Sequence, residues 1–98
     1  MILVTGSVVA RDDTFEQVLA LSREHVARSR AEPGCLAHAV HRDVERPNRL
    51  VFVEQWSDPP ALQAHFKVPA SRAFGKALAE LAAEPPTLEV YDATPLKP

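Results

Sequence analysis

Three side chains capable of acid-base chemistry and aromatic recognition lie close together in the stretch VEQWSDPPALQAH: Glu54, Trp56 and His65. A carboxylate and an imidazole can pass protons near neutral pH, and an indole supplies a flat apolar wall. In an extended segment Leu50, Phe52, Glu54 and Trp56 share one face, while Val51, Val53 and Gln55 share the other. Glu54 is then the lone acid in an aromatic row. His65 follows on a segment expected to fold back over that row, so the three can converge on a cavity between a sheet and its helices. The alternative at each position is structural: Trp56 fills core, Glu54 pairs with an arginine, and His65 caps or packs.

The other candidates are less committed. His38 stands on a strand in phase with Leu36 and Val40, and out of phase with Cys35, Ala37, Ala39 and His41. His38 and His41 therefore project to opposite faces and cannot share a metal. His38 lines the same pocket or sits at a seam between subunits, and both positions stay open. His25, near the arginine-rich end of a helix, reads as structural, and Cys35 reads as a small buried hydrophobe. No Gly-rich phosphate loop, G-x-S-x-G or H-E-x-x-H pattern occurs, so neither a tightly held nucleotide nor a metal is expected.

The elements that would position these residues can be read in order. Ile2 to Val9 is rich in β-branched residues and reads as a strand. Asp13 and Glu16 have capping-box spacing, and Phe15, Val18, Leu19, Ser22, Val26 and Ser29 follow helical spacing, giving a helix over about residues 13–31. Glu32-Pro33-Gly34 stops it. Strands follow at 35–43 and 49–56, separated by the turn Arg46-Pro47-Asn48. Asp58 caps a helix with Pro59 at its first position, Pro69 interrupts it, and Pro85-Pro86 ends the second piece. Residues 87–91 give a last strand. This order, βαββαβ with a broken second helix, is that of an α+β ferredoxin-like fold with a four-stranded antiparallel sheet and both helices on one face. Leu50, Val51, Phe52 and Val53 are apolar on both sides, so the uncovered face calls for a second copy packed sheet against sheet.

Composition bounds the function. With 98 residues the chain is expected to form one domain over 1–98, and 46% hydrophobic with 24% charged residues is the balance of a soluble globular protein. A formal net charge of −2 with interspersed signs offers no basic face for nucleic acid. No apolar run is long enough to span a membrane, and the first residues lack a basic leader, so a cytoplasmic location is expected. A single cysteine, Cys35, excludes an internal disulfide.

Glu32-Pro33-Gly34-Cys35, then Val53-Glu54-Gln55-Trp56 with Asp58, Ala61, Ala64-His65 and Pro69, resembles the antibiotic biosynthesis monooxygenase domain, in its small bacterial quinol monooxygenase form. The order and spacing of these elements carry the resemblance across nearly the whole chain. It implies a homodimeric α/β barrel in which each subunit oxidises a small electron-rich aromatic, a quinol or polyketide-like molecule, with O2 and without flavin, haem or metal. Under that implication His65 is the base or proton shuttle, Glu54 orients it, and Trp56, Phe52 and Phe74 shape the wall. Haem-degrading relatives carry an asparagine on the first strand and a histidine late in the broken helix. Gly6, Ser7 and Phe74-Gly75-Lys76 stand in those regions here, which disfavours haem. Two other readings compete: a non-catalytic dimer that binds a small ligand or serves a stress response, and a proton-transfer isomerase of a small phosphorylated signal using Arg49 or Arg72.

Overall fold

The computed structural model describes all of residues 1–98. Its elements are β1 (Ile2–Val9), α1 (Phe15–Ser29), β2 (Cys35–Arg42), β3 (Arg49–Trp56), α2 (Pro59–Lys67), α3 (Pro69–Leu81) and β4 (Thr87–Asp92). The four strands form one antiparallel sheet in the order β2-β3-β1-β4, the ferredoxin-like arrangement expected from the sequence. Ile2, Val4, Val8, Leu50, Phe52 and Trp56 are buried on the helix-covered face of β1 and β3. Between them, Leu3, Thr5, Val51 and Val53 are only half-buried, because this chain supplies nothing to cover the outer face.

The core lies in two parts. Val8, Phe15, Val18, Val26, Leu50 and Phe52 fill one, with Leu78 of α3 closing it. Ile2, Val4, Trp56 and Leu62 fill the other, beneath α2. Gly6 faces inward at the point where β1 meets β4, and a Cβ there would come within 3.1 Å of the Thr87 carbonyl oxygen. The missing side chain leaves the sheet floor open beside both cores.

Two local details differ from the sequence reading. Helix α1 starts at Phe15 behind Thr14, and the Asp13–Glu16 capping box does not form. Tertiary contact decides this: the Thr14 hydroxyl accepts from the Arg11 amide at 3.0 Å and lies 2.7 Å from the Leu81 carbonyl oxygen, tying the start of α1 to the end of α3. Asp13 is left as an exposed partner of Arg11 at 3.5 Å. In β2, the ladder slips between Cys35, opposite Trp56, and Ala37, opposite Gln55. Leu36 is the extra residue of a bulge and is exposed, while Cys35 joins the Trp56 cluster on the helix side. Cys35 and His38 therefore share a face, contrary to strict alternation.

Candidate functional site

Three imidazoles meet beneath the helices, each from a different element. His25 comes from α1, where Phe15, Val18, Ser22, His25 and Ser29 form a buried stripe. His38 comes from β2, opposite Glu54 of β3. His65 comes from the last turn of α2, whose start is fixed by Asp58 accepting from the Ala61 amide at 2.9 Å. The rings of His25 and His38 lie 5.3 Å apart, those of His25 and His65 5.3 Å, and those of His38 and His65 5.7 Å. All three residues are buried.

Each ring has its own support. His65 Nδ1 donates to Glu32 Oε1 at 2.9 Å, since an ionised carboxylate can only accept. That bond places the ring's lone pair on Nε2. Glu32 reaches this position because Gly34, at φ +82°, turns the chain back after α1. Glu54 serves different neighbours: its Oε1 accepts from the Trp56 indole N–H at 2.9 Å and lies 3.3 Å from His38 Nε2. The His38 contact is close enough for charge attraction but lacks hydrogen-bond alignment, and both His38 ring nitrogens are buried without a hydrogen-bond partner. The expected pairing of Glu54 with His65 is thus not the one made; the acid bonded to His65 is Glu32. Phe74 stacks on His25, centroids 4.1 Å apart and planes within 10° of parallel.

Electrostatics follows from this crowding. Burial, with His38 and His65 alongside, pulls His25 down to about 4, so it is neutral at physiological pH. Burial pushes the Glu54 carboxyl up, but His38, the Trp56 N–H and the nearness of His65 outweigh it and hold the group below the ordinary glutamate range. Burial raises the Cys35 thiol, with Glu54 and Glu32 adding to the effect, which leaves it a poor nucleophile.

A cavity of about 310 Å³ opens beside the cluster, at the lower end of the range for small-molecule sites. Its wall includes His25, Glu54, His65, Phe52 and Phe74, with Arg72 of α3 as the cation. Four of the six sequence-selected residues, His65, Glu54, Phe52 and Phe74, are therefore brought to one cavity. Trp56 and His38 do not line it. Trp56 is fully buried behind His65, its ring 4.6 Å from the imidazole, and it supports Glu54 from below. His38 is buried behind His25 and His65 and borders instead a separate shallow groove with Arg30, Cys35 and Leu36. Arg49 is spent on Asp43 at 2.9 Å.

Sequence reasoning missed two members. His25 reads as structural beside the arginines, although the spacing 15, 18, 22, 25, 29 places it on the buried stripe. Glu32 reads from the sequence as part of a helix stop and of the family resemblance, and no local signal pairs it with a residue 33 positions later.

A ferredoxin-like sheet whose helices enclose a small, largely apolar cavity with an imidazole in its wall places the chain among α+β proteins with a small-molecule-sized pocket. Residues 1–77 match the family model for antibiotic biosynthesis monooxygenase, and the chain belongs to that family. It is 32% identical over 90 residues to an uncharacterised protein of Synechocystis, covering 92% of this chain and 61% of that protein, so it spans about three fifths of the relative's length. Among solved structures, an antibiotic biosynthesis monooxygenase superposes with a TM-score of 0.88 at 29% identity, over 97% of this chain and 100% of the other. A Deinococcus radiodurans protein assigned to the same group superposes with a TM-score of 0.94, over 100% of this chain and 97% of the other. At 22% identity that last likeness shows the fold alone. No helix is long and apolar enough to cross a membrane.

Proposed function

We propose that this protein is a monooxygenase of small electron-rich aromatics, a quinol or a polyketide-like phenol, that uses O2 directly. The observation that carries the reading is the cavity wall: Phe52 and Phe74 line it together with an imidazole, His65, whose Nδ1 is tied to Glu32 and whose Nε2 is free to take a proton. Removing a phenolic proton gives an anion rich enough to reduce O2 itself. One oxygen atom enters the ring, the other leaves as water, and both electron pairs come from the substrate. The protein then has to bind, orient, accept the proton and exclude bulk water. Glu54, in the cavity wall, and Trp56 behind it position the cluster. Arg72 offsets charge on the anion.

The reading includes a homodimer. Thr5, Val51, Val53 and Ala39 present a half-buried apolar strip on the outer sheet face, and a twin sheet is its simplest cover. A cytoplasmic enzyme without bound flavin or haem completes the proposal.

The test is O2 consumption with a panel of hydroquinones and anthrones. Wild type should exceed the uncatalysed rate, and His65→Gln should lower kcat by about 10²- to 10⁴-fold while keeping its far-UV spectrum. A wild-type rate equal to background across the panel refutes catalysis. Tight retention of an aromatic without turnover would instead favour a ligand-binding protein.

A further inference from the structure

We propose that His25, His38 and His65 form a binding site for a divalent first-row transition metal ion of the zinc, cobalt or nickel type, reached through the cavity. One nitrogen from each ring lies within 4.8 Å of one from each of the others. The three ring separations, 5.3, 5.3 and 5.7 Å, make a nearly equilateral triangle. A metal–nitrogen bond of about 2.0–2.1 Å plus roughly 1.1 Å from nitrogen to ring centre puts ligated imidazoles about 5.2 Å apart in a tetrahedral site. The nitrogens, up to 4.8 Å apart, must close to about 3.3–3.4 Å to share one ion, so the rings have to turn or shift by about an ångström.

A second observation points the same way. His25 Nδ1 and His38 Nδ1 are buried with no hydrogen-bond partner, and His38 Nε2 has only the unaligned contact with Glu54 at 3.3 Å. Orphaned buried nitrogens cost free energy that a ligand would recover. The surroundings match the usual outer sphere of a histidine metal site. Glu32 already accepts from Nδ1 of His65, leaving Nε2 for an ion, and Glu54 stands beside His38. Two carboxylates also balance a dipositive charge in a buried place. His25 and His65 both line the cavity, which gives the ion a way in and leaves the fourth position facing open space. Imidazole donors select the later first-row ions over magnesium or calcium.

The inference does not depend on quinol oxidation. An ion would take the His65 nitrogen that proton transfer needs, so the two states exclude each other on one chain. From the sequence His38 and His65 can share a pocket, but nothing local brings His25 of α1 to them.

Tag-free protein stripped by chelator and titrated with Co2+ should develop the strong visible bands of four-coordinate cobalt at one ion per chain. His65→Gln and His25→Gln should each abolish the bands. Glu32→Gln should weaken the affinity by about 10- to 100-fold. His41→Gln, on the exposed outer end of β2, should bind as wild type does. Should the histidine variants misfold, Glu32→Gln and a Zn2+-dependent rise in wild-type melting temperature carry the test. Absent bands and no melting shift in wild type overturn the site, as does full binding in a folded His65→Gln.

Discussion

Acidification should unfold this protein through His25. The ring's ordinary value is 6.5, and in the fold it falls to about 4, first because it is buried and then because His38, His65 and, at the end of α1, Arg28 oppose a further positive charge; only Glu54 favours it. Below the ordinary value the unfolded chain binds a proton that the folded chain refuses. Stability is therefore intact above about pH 6.5 and is lost progressively as pH falls toward about 4. Proton linkage gives a loss on the order of 2 kcal/mol between pH 7 and pH 5, approaching 3 kcal/mol at pH 4. For a domain of this size the first figure is roughly 8–16 °C in melting temperature. Glu54, also held low, contributes stability that disappears only below the ordinary glutamate range, so the upper part of the window isolates the histidine. The assay is urea unfolding at fixed protein concentration across that window, for wild type and His25→Gln. Wild type should lose stability with falling pH, and the variant should lose about 2 kcal/mol less over the same interval. Parallel curves for the two proteins would refute the account of His25.

Three further outcomes follow from the packing. Gly34→Ala forces φ +82° on an alanine and brings its Cβ within 2.5 Å of the Ala61 Cβ. It should cost at least about 1–3 kcal/mol in chemical denaturation, with Ala61→Gly relieving that collision but neither the one with the Ser57 Oγ at 2.8 Å nor the backbone strain. Trp56→Phe removes the aligned hydrogen bond to buried Glu54, and a double-mutant cycle with Glu54→Leu, which leaves no acceptor, should show a coupling of about 1.5–3 kcal/mol. Val53→Glu, on the outer face opposite Ala39 and Thr5, should convert the proposed dimer to monomer by light scattering while leaving the ladder intact.

The fold was legible because its signals are local. Alternation placed Leu50, Phe52, Glu54 and Trp56 on one face, and prolines marked the break between α2 and α3. What alternation could not show was the slip at Leu36, since a bulge depends on how two strands meet and not on either strand alone. The capping box failed for a similar reason: Asp13 and Glu16 had the right spacing, but Thr14 found a carbonyl on α3. The site was half legible. Faces put Glu54 and Phe52 of the sheet and His65 and Phe74 of the helices toward the space between the two layers, whereas the partner of His65 and the depth of Trp56 arise from contacts across the chain.

A cluster of three buried imidazoles is an odd thing for a core to keep. Leucine or phenylalanine at these positions would fill the same space without orphaned nitrogens, each of which costs about 1–3 kcal/mol when buried without a partner. A chain of 98 residues has little stability to spare, since domains of this size are held by roughly 5–15 kcal/mol in all. The surrounding side chains nevertheless hold the rings in place: Glu32 fixes His65, Phe74 stacks on His25, and Arg30 Nε donates to the His38 carbonyl oxygen at 2.8 Å. Such investment in positioning makes sense only if the nitrogens meet something that the folded chain alone does not contain. Both proposals share that premise. In one the visitor is an acidic aromatic whose proton His65 takes; in the other it is an ion that all three rings hold. Because each uses Nε2 of His65, Zn2+ added to an active enzyme should suppress turnover, and relief of that suppression by a chelator would show that the two visitors compete for one place.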